Sequence, residues 1–192
     1  MGVLFEIRCG GCGRPGASPC PGCRAALRAC PWVPVPAGYE SCRALLDFDG
    51  PARDLVARIK YRNQRGAVGW LGAGMARLAG PVDVVTWAPT SDRRRRARGF
   101  DHAELLARAV ARHLGLPVRS LLWHAPGAPQ TGRGRRERRA GPGFAPRRRL
   151  GGARVLVVDD VVTTGATLAA AGVALRAAGA GELYAVAAAH PR

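Results

Sequence analysis

Apolar and polar positions along this chain follow two periods, and the switches between them mark out its elements. Short apolar runs predict strands over residues 41–48, 83–88 and 183–188. Val155, Leu156, Val157 and Val158 form a fourth run with no polar break, as expected of a strand buried on both faces in a parallel sheet. Between the runs the period lengthens to that of a helix. Leu55, Val56 and Ile59 share one stripe, which predicts a helix from Pro51, just past Gly50, to about Arg62. A second helix is expected over 67–78. A third opens at Asp101 and Glu104, a D-x-x-E capping pattern, and runs to about His113 with Leu106, Val110 and Leu114 inward. A fourth is expected over 168–178. Strands that alternate with helices predict an α/β domain with a mostly parallel sheet.

At 192 residues the chain has room for one core and a small appendage. Composition places the appendage at the front. Residues 9–23 read CGGCGRPGASPCPGC, two CxxC pairs among glycines. Cys9, Cys12, Cys20 and Cys23 would supply a closed tetrahedral Cys₄ site, structural in character and suited to zinc. Disulfides are the rival pairing, but a cytoplasmic chain keeps its thiols reduced. Cys30 and Cys42 lie outside both pairs. Pro31, Pro34 and Pro36 mark residues 30–40 as a linker. The expected division is 1–29, then the linker, then a domain over 41–192.

Charge adds a preference for anions. There are 30 basic against 13 acidic residues, a formal net charge of +17. All but one of the basic residues are arginine, the exception being Lys60. Such a surface favours nucleic acid or polyphosphate substrates. Alanine, glycine and proline also run high, so part of the excess is compositional, but the clustering is not. Arg93 to Arg96 and Arg98 directly follow a predicted strand end, and eight arginines fall between Arg133 and Arg149. Residues 124–149, rich in Gly, Pro and Arg, predict a mobile lid or binding loop. No run approaches membrane-spanning length, and the first residues lack the apolar stretch of a signal peptide, so a cytoplasmic location is expected. His102 and His113 read as surface residues.

The densest chemistry lies in VLVVDDVVTTGATL, residues 155–168. The apolar run meets Asp159 and Asp160 at the carboxyl end of a parallel strand, where open α/β sheets bind ligands. Thr163, Thr164, Gly165 and Thr167 then form a turn at a helix N-terminus, an anion site by virtue of free N–H groups and the helix dipole. The carboxylates repel phosphate but suit sugar hydroxyls or a hydrated Mg²⁺. One phosphate, one diol and one metal together suggest a phosphorylated ribose. A P-loop NTPase is excluded, because Lys60 has no Gly-rich loop before it and Tyr61 after it.

These residues resemble the phosphoribosyl-diphosphate (PRPP) motif of type I phosphoribosyltransferases. The resemblance implies that Asp159 and Asp160 face the ribose 2- and 3-hydroxyls and that Val161, Thr163, Thr164, Gly165, Ala166 and Thr167 line the 5-phosphate, with Mg²⁺ accompanying PRPP. Together with LVARIKYRNQRG, RARGFDHAELLARAVARHLGLP, QTGRGRRERRAGPGF and the CxxC pairs, the order of blocks resembles the ComF family of competence proteins. That resemblance implies a type I phosphoribosyltransferase fold with an N-terminal zinc ribbon. It further implies a role in DNA uptake through single-stranded DNA, with a competence helicase as partner; an active phosphoribosyltransferase of nucleotide metabolism is the alternative. Lys60, Arg93, Arg98, Arg135 and Arg138 are then the candidate contacts to pyrophosphate or DNA. No catalytic base is assigned. The chain departs from the family pattern where Asp101 and His102 replace Asn-Gln and where Gly141 replaces Asn.

Overall fold

The structure, a computed structural model, describes residues 7–91, 95–96, 99–125 and 143–192. Its centre is a four-stranded, all-parallel sheet in the order β1-β6-β5-β2. The strands are β1 (Ser41–Asp47), β2 (Val84–Trp87), β5 (Val155–Val161) and β6 (Leu183–His190). Val155 is level with Val84 on one side and Leu183 on the other, so β5 lies inside the sheet. That position explains its unbroken apolar run, since both faces are covered.

Alternation along the strands sorts the core into two layers. Leu156, Val158, Val186 and Ala188 face α2 (Gly50–Arg62), α3 (Val68–Ala76) and α4 (His102–Leu114). Val155, Val157, Ala185 and Ala187 face α5 (Ala166–Ala177). A mostly parallel sheet flanked by helices is the architecture expected from the sequence. The strand β5 is longer than its apolar run and carries the acidic pair within it.

The Pro-rich stretch 30–40 lies against this second layer, with Val33 and Tyr39 buried. Tyr39 donates its hydroxyl hydrogen to the Leu168 carbonyl at 2.8 Å and packs where Gly172 leaves no room for a side chain. It thereby braces the first turns of α5. The α4 N-terminus is capped as expected by Asp101, whose Oδ1 accepts the Ala103 N–H at 3.0 Å. The reciprocal half of the capping pattern is not made: Glu104 pairs with Arg108 one turn later, at 2.7 Å.

Two strands were not anticipated. β3 (Leu122–His124) and β4 (Phe144–Pro146) form a separate antiparallel ladder, His124 opposite Phe144. Two pieces of the expected lid over 124–149 are therefore paired with each other as strand, and the Ala125 N–H donates to the Gly143 carbonyl at 2.9 Å. The rest of that expected lid lies outside the described residues. Ahead of the sheet, a short helix α1 (Pro21–Ala26) belongs to the cysteine-bearing segment. No helix among the described residues is long and apolar enough to cross a membrane.

Candidate functional site

The chain leaves β2 and β5, neighbours in the sheet, toward opposite faces. α4 follows β2 on one side and α5 follows β5 on the other, which opens a crevice at the strands' carboxyl ends. The exit of β5 is pinned: the Val162 N–H donates to the Ala189 carbonyl at 3.1 Å, and His190 Nδ1 lies 2.7 Å from the Val162 carbonyl. Thr163 and Thr164 then emerge into solvent. Gly165, at φ +73°, turns the chain into α5. Only glycine suits this position, because the φ is left-handed and an added Cβ would stand 3.2 Å from Pro36 Cγ.

A cavity of about 30 Å³ lies in that turn, lined by Asp159, Val161, Thr163, Thr164, Gly165, Ala166 and Thr167, with Val162 and Leu168. The helix begins two residues earlier than expected, at Ala166, so Ala166 and Thr167 sit in its first turn. First-turn amides have no carbonyl a turn earlier to pair with. One of them, Ala166 N–H, points at Thr164 Oγ1 at 3.4 Å.

Asp159, Val161 and Thr167 also line a second, larger cavity of about 360 Å³. Its walls come from five further places: Lys60 and Tyr61 at the end of α2, residues 88–91 after β2, residues 101–103 at the start of α4, His124 on β3 and Phe144 on β4. Asp101 holds two of these together, since its second carboxylate oxygen accepts the Thr90 N–H at 2.8 Å while its first caps α4. His124 and Phe144 meet edge to face, 5.6 Å between ring centres.

The two aspartates differ. Asp160 is 5% exposed. Its Oδ1 is 2.8 Å from Lys60 Nζ, and its Oδ2 is paired with His102 Nε2. Burial alone would raise its pKa, but the His102 hydrogen bond and the Lys60 charge outweigh that and hold it below the usual carboxylate range. Asp159 lies beside it with Oδ1 accepting the Asp160 N–H at 2.8 Å. Burial, and then the neighbouring charge of Asp160, push Asp159 up to about 8. Both carboxylates line the larger cavity, and Asp159 borders the turn as well. The expectation for His102 needs correction. It is 8% exposed and belongs to the site rather than to the surface. Its place in the first turn of a helix at a strand's carboxyl end was the available signal. His113 is exposed, as expected.

At the N-terminus, the sulfurs of Cys9, Cys12, Cys20 and Cys23 all lie within 4.8 Å of one another and could hold a metal ion such as zinc. The fit is supported by the backbone. The N–H groups of Gly11 and Cys20 point at Cys9 Sγ at 3.4 and 3.3 Å, the arrangement a thiolate ligand needs. A Cβ on Gly11 would come within 2.6 Å of Cys23 Sγ, so the cradle is closed to any other residue. Burial raises the Cys9 thiol, but backbone N–H donors more than offset it and bring Cys9 down to about 6. Burial and the shared hydrogen bond to Cys9 push Cys23 up to about 12. Cys42 is buried beneath the sheet's other face and Cys30 beside it; neither joins the cluster.

Lys60 is the one basic contact candidate that the described residues place at the cavity. Arg93, Arg98, Arg135 and Arg138 lie outside the described residues.

No family model matches the sequence, and no curated protein does. Among solved structures the chain is similar to a glutamine phosphoribosylpyrophosphate amidotransferase from B. subtilis complexed with ADP and GMP. Identity is 25% over 64% of this chain and 26% of that one, with a TM-score of 0.47. It is similar to an allosteric regulatory enzyme of purine biosynthesis, at 25% identity, 64% and 25% coverage and a TM-score of 0.46. A purine phosphoribosyltransferase from Pyrococcus horikoshii matches at 19% identity, over 69% of this chain and 70% of that one, with a TM-score of 0.38. The chain spans about a quarter of the length of the first two enzymes.

Proposed function

We propose that this chain is a type I phosphoribosyltransferase-like domain that binds a ribose 5-phosphate group, presented by PRPP with its Mg²⁺, and that carries a structural zinc on Cys9, Cys12, Cys20 and Cys23. The observation that carries this reading is the shared wall. Asp159, Val161 and Thr167 border both the amide-lined turn and the larger polar cavity. A ligand with a phosphate at one end and a hydroxyl-bearing ring next to it spans both.

The phosphate would accept hydrogen bonds from the first-turn amides of α5 and the hydroxyls of Thr163, Thr164 and Thr167. The ring would lie over Asp159. A diphosphate on the anomeric carbon would then point toward residues 88–91, held in place by Asp101. If the domain turns over, the reaction is displacement of pyrophosphate. The chain's own contribution is to position the sugar and to stabilise the charge on the leaving group. Such a protein acts in the cytoplasm, where the four thiols stay reduced.

Thr164→Asp tests the phosphate site without harming the fold. Thr164 is exposed and already offers an oxygen to the Ala166 N–H. An aspartate there keeps that bond and adds charge favourable to the helix dipole, worth about 0.3–1 kcal/mol. The same charge repels a phosphate. Calorimetry should show ribose 5-phosphate affinity falling about tenfold or more, equivalent to about 1.4 kcal/mol, with an unchanged or higher melting temperature. Unchanged affinity would defeat the assignment.

A second reading has its own support. The net charge is +17, and among the described residues three aromatic residues, Tyr61 at 71%, Trp32 at 69% and Trp123 at 45%, stand exposed. Tyr61 borders the larger cavity. A basic surface with exposed rings suits single-stranded DNA, bases stacking on the rings and arginines tracking the backbone. DNA uptake with a helicase partner would be the setting. Affinity for an oligothymidylate should then drop steeply between low and moderate salt, by about 0.7 log unit per log unit of salt for each phosphate neutralised. A flat salt response removes this reading and leaves the ribose site untouched.

A further inference from the structure

β1 is the outermost strand on its side of the sheet, and half of its outer edge is open. Glu40 donates its N–H to the Leu183 carbonyl at 2.8 Å, and Phe48 donates to the His190 carbonyl at 2.9 Å. In a parallel pair, alternate residues turn both backbone groups toward the same neighbour. The even-numbered residues of β1 therefore bond to β6, while Ser41, Arg43, Leu45 and Asp47 turn theirs outward. Part of that edge is covered from within the chain. The Leu45 carbonyl accepts the Cys30 N–H at 3.2 Å, and the Asp47 N–H donates to the Arg28 carbonyl at 2.9 Å. Pairing goes no further than Cys30, which Pro31 follows. Among the described residues, the outward N–H and C=O groups of Ser41 and Arg43 meet no partner.

A cavity of about 320 Å³ runs along this open half. Residues 41–44 form one side, residues 30–33 and Val35 the other, and Leu78 closes it. Its rim is apolar, with Trp32 69% and Val35 51% exposed. An apolar patch beside an unpaired strand edge is a surface that another extended chain can cover. Arg43 is the one charged residue among those lining it, and it is exposed with no ion-pair partner among the described residues.

That charge decides what can pair there. A second copy using the same edge would bring arginine against arginine between two chains of net charge +17. The chain's own segment 126–142 has five arginines against one glutamate and is repelled in the same way. A charged side chain on an edge strand guards it against such pairings. The same charge selects a chain that brings a carboxylate.

We propose that the outer edge of β1 is the docking site for an extended acidic segment of a partner protein. The segment adds as a short strand beside Ser41 and Arg43, sets a carboxylate against Arg43 and places an apolar side chain in the cavity between Trp32 and Leu78. Strand addition draws affinity from main-chain hydrogen bonds and specificity from pockets for alternate side chains. Ser41 and Arg43 offer two donors and two acceptors, which a stretch of about four residues can satisfy. The site does not rest on the ribose reading.

The probe is a short labelled peptide of alternating glutamate and valine, added to the zinc-loaded full chain. Fluorescence anisotropy should show saturable binding. The matching lysine–valine peptide should bind at least about tenfold more weakly. Arg43→Glu, a change at an exposed side chain that the fold tolerates, should reverse that preference. Trp32→Ser, also at an exposed position, should weaken binding about threefold or more through lost apolar contact. Successive N–H groups of a strand point to opposite edges, so peptides N-methylated at every glutamate or at every valine lose opposite edges. One of the two should bind and the other fail. In ¹⁵N NMR of the complex, the Ser41 and Arg43 amides should shift and exchange more slowly with solvent.

Absence of saturable binding overturns the proposal. So does equal affinity for both N-methylated peptides, or an Arg43→Glu variant that still prefers glutamate, since either would mean attraction to a basic surface without a strand site. Wild-type dimers that Trp32→Ser dissolves in sedimentation would put a second copy on the edge and overturn it as well.

Discussion

Replacing Cys9 with serine is expected to strip the protein of zinc and unseat its N-terminal module. Cys9 is fully buried and receives two backbone N–H groups, so a serine there loses a ligand and leaves those donors facing a poor acceptor. The module has little else to hold it. Between residues 7 and 29 only Cys9 and Cys23 among hydrophobic residues are buried. In zinc-finger peptides metal binding supplies roughly 10–16 kcal/mol of apparent free energy, and folding depends on it. Elemental analysis should find one zinc per wild-type chain and none in Cys9→Ser; stoichiometric zinc in the variant would refute the ligand set. The module also rests on the main domain. Gly10 lies against Leu55 of α2 with no room for a Cβ, Gly13 lies under the Arg58 guanidinium, and the Arg24 guanidinium sits 6.0 Å from the Trp70 ring centre. Tryptophan fluorescence should therefore change on metal removal, and hydrogen exchange should rise over residues 9–26 and along the exposed side of α2.

The second large effect is expected at Lys60. Its ammonium and His102 together balance the buried carboxylate of Asp160. Lys60→Met removes one partner, and Asp159 next door makes the remaining charge harder to hold. Breaking a buried pair from one side costs about 3–5 kcal/mol, and the lower end applies because His102 stays. Urea denaturation should read a loss of about 3 kcal/mol. The double variant Lys60→Met, Asp160→Asn should recover much of that loss, since no orphaned charge remains. Strictly additive losses would mean that the pair is not coupled as the geometry requires.

Much of the frame was legible because it obeys one period at a time. The run from Val155 to Val158 has the length and composition of a doubly covered strand, and the stripe Leu55, Val56, Ile59 lies on one helical face. The turn at Gly165 was legible for a local reason as well, since a left-handed φ and a close neighbour both demand glycine. What escaped was non-local or too short for a period. β3 and β4 have three residues each, and only their pairing across the intervening segment makes them strands. The clamp on Asp160 joins residues about a hundred and about sixty positions apart, and sequence pattern has no term for such contacts. His102 was misjudged because a histidine in a first helical turn is ordinarily solvated. Glu104 was expected to reach back to the helix start, but Arg108, one turn on, is a stronger partner than a backbone N–H.

The pairing of β1 with β6 sets the order in which this molecule can assemble. Ser41 lies level with Tyr184, so an early strand has one of the last as its neighbour. On the ribosome, β1 waits until β6 has emerged before its hydrogen-bonding edge is covered. Sheets closed by such distant partners form late and slowly, and until then that edge is open to other chains. Yield in cells should accordingly depend more on chaperone supply during synthesis than on the stability of the finished fold.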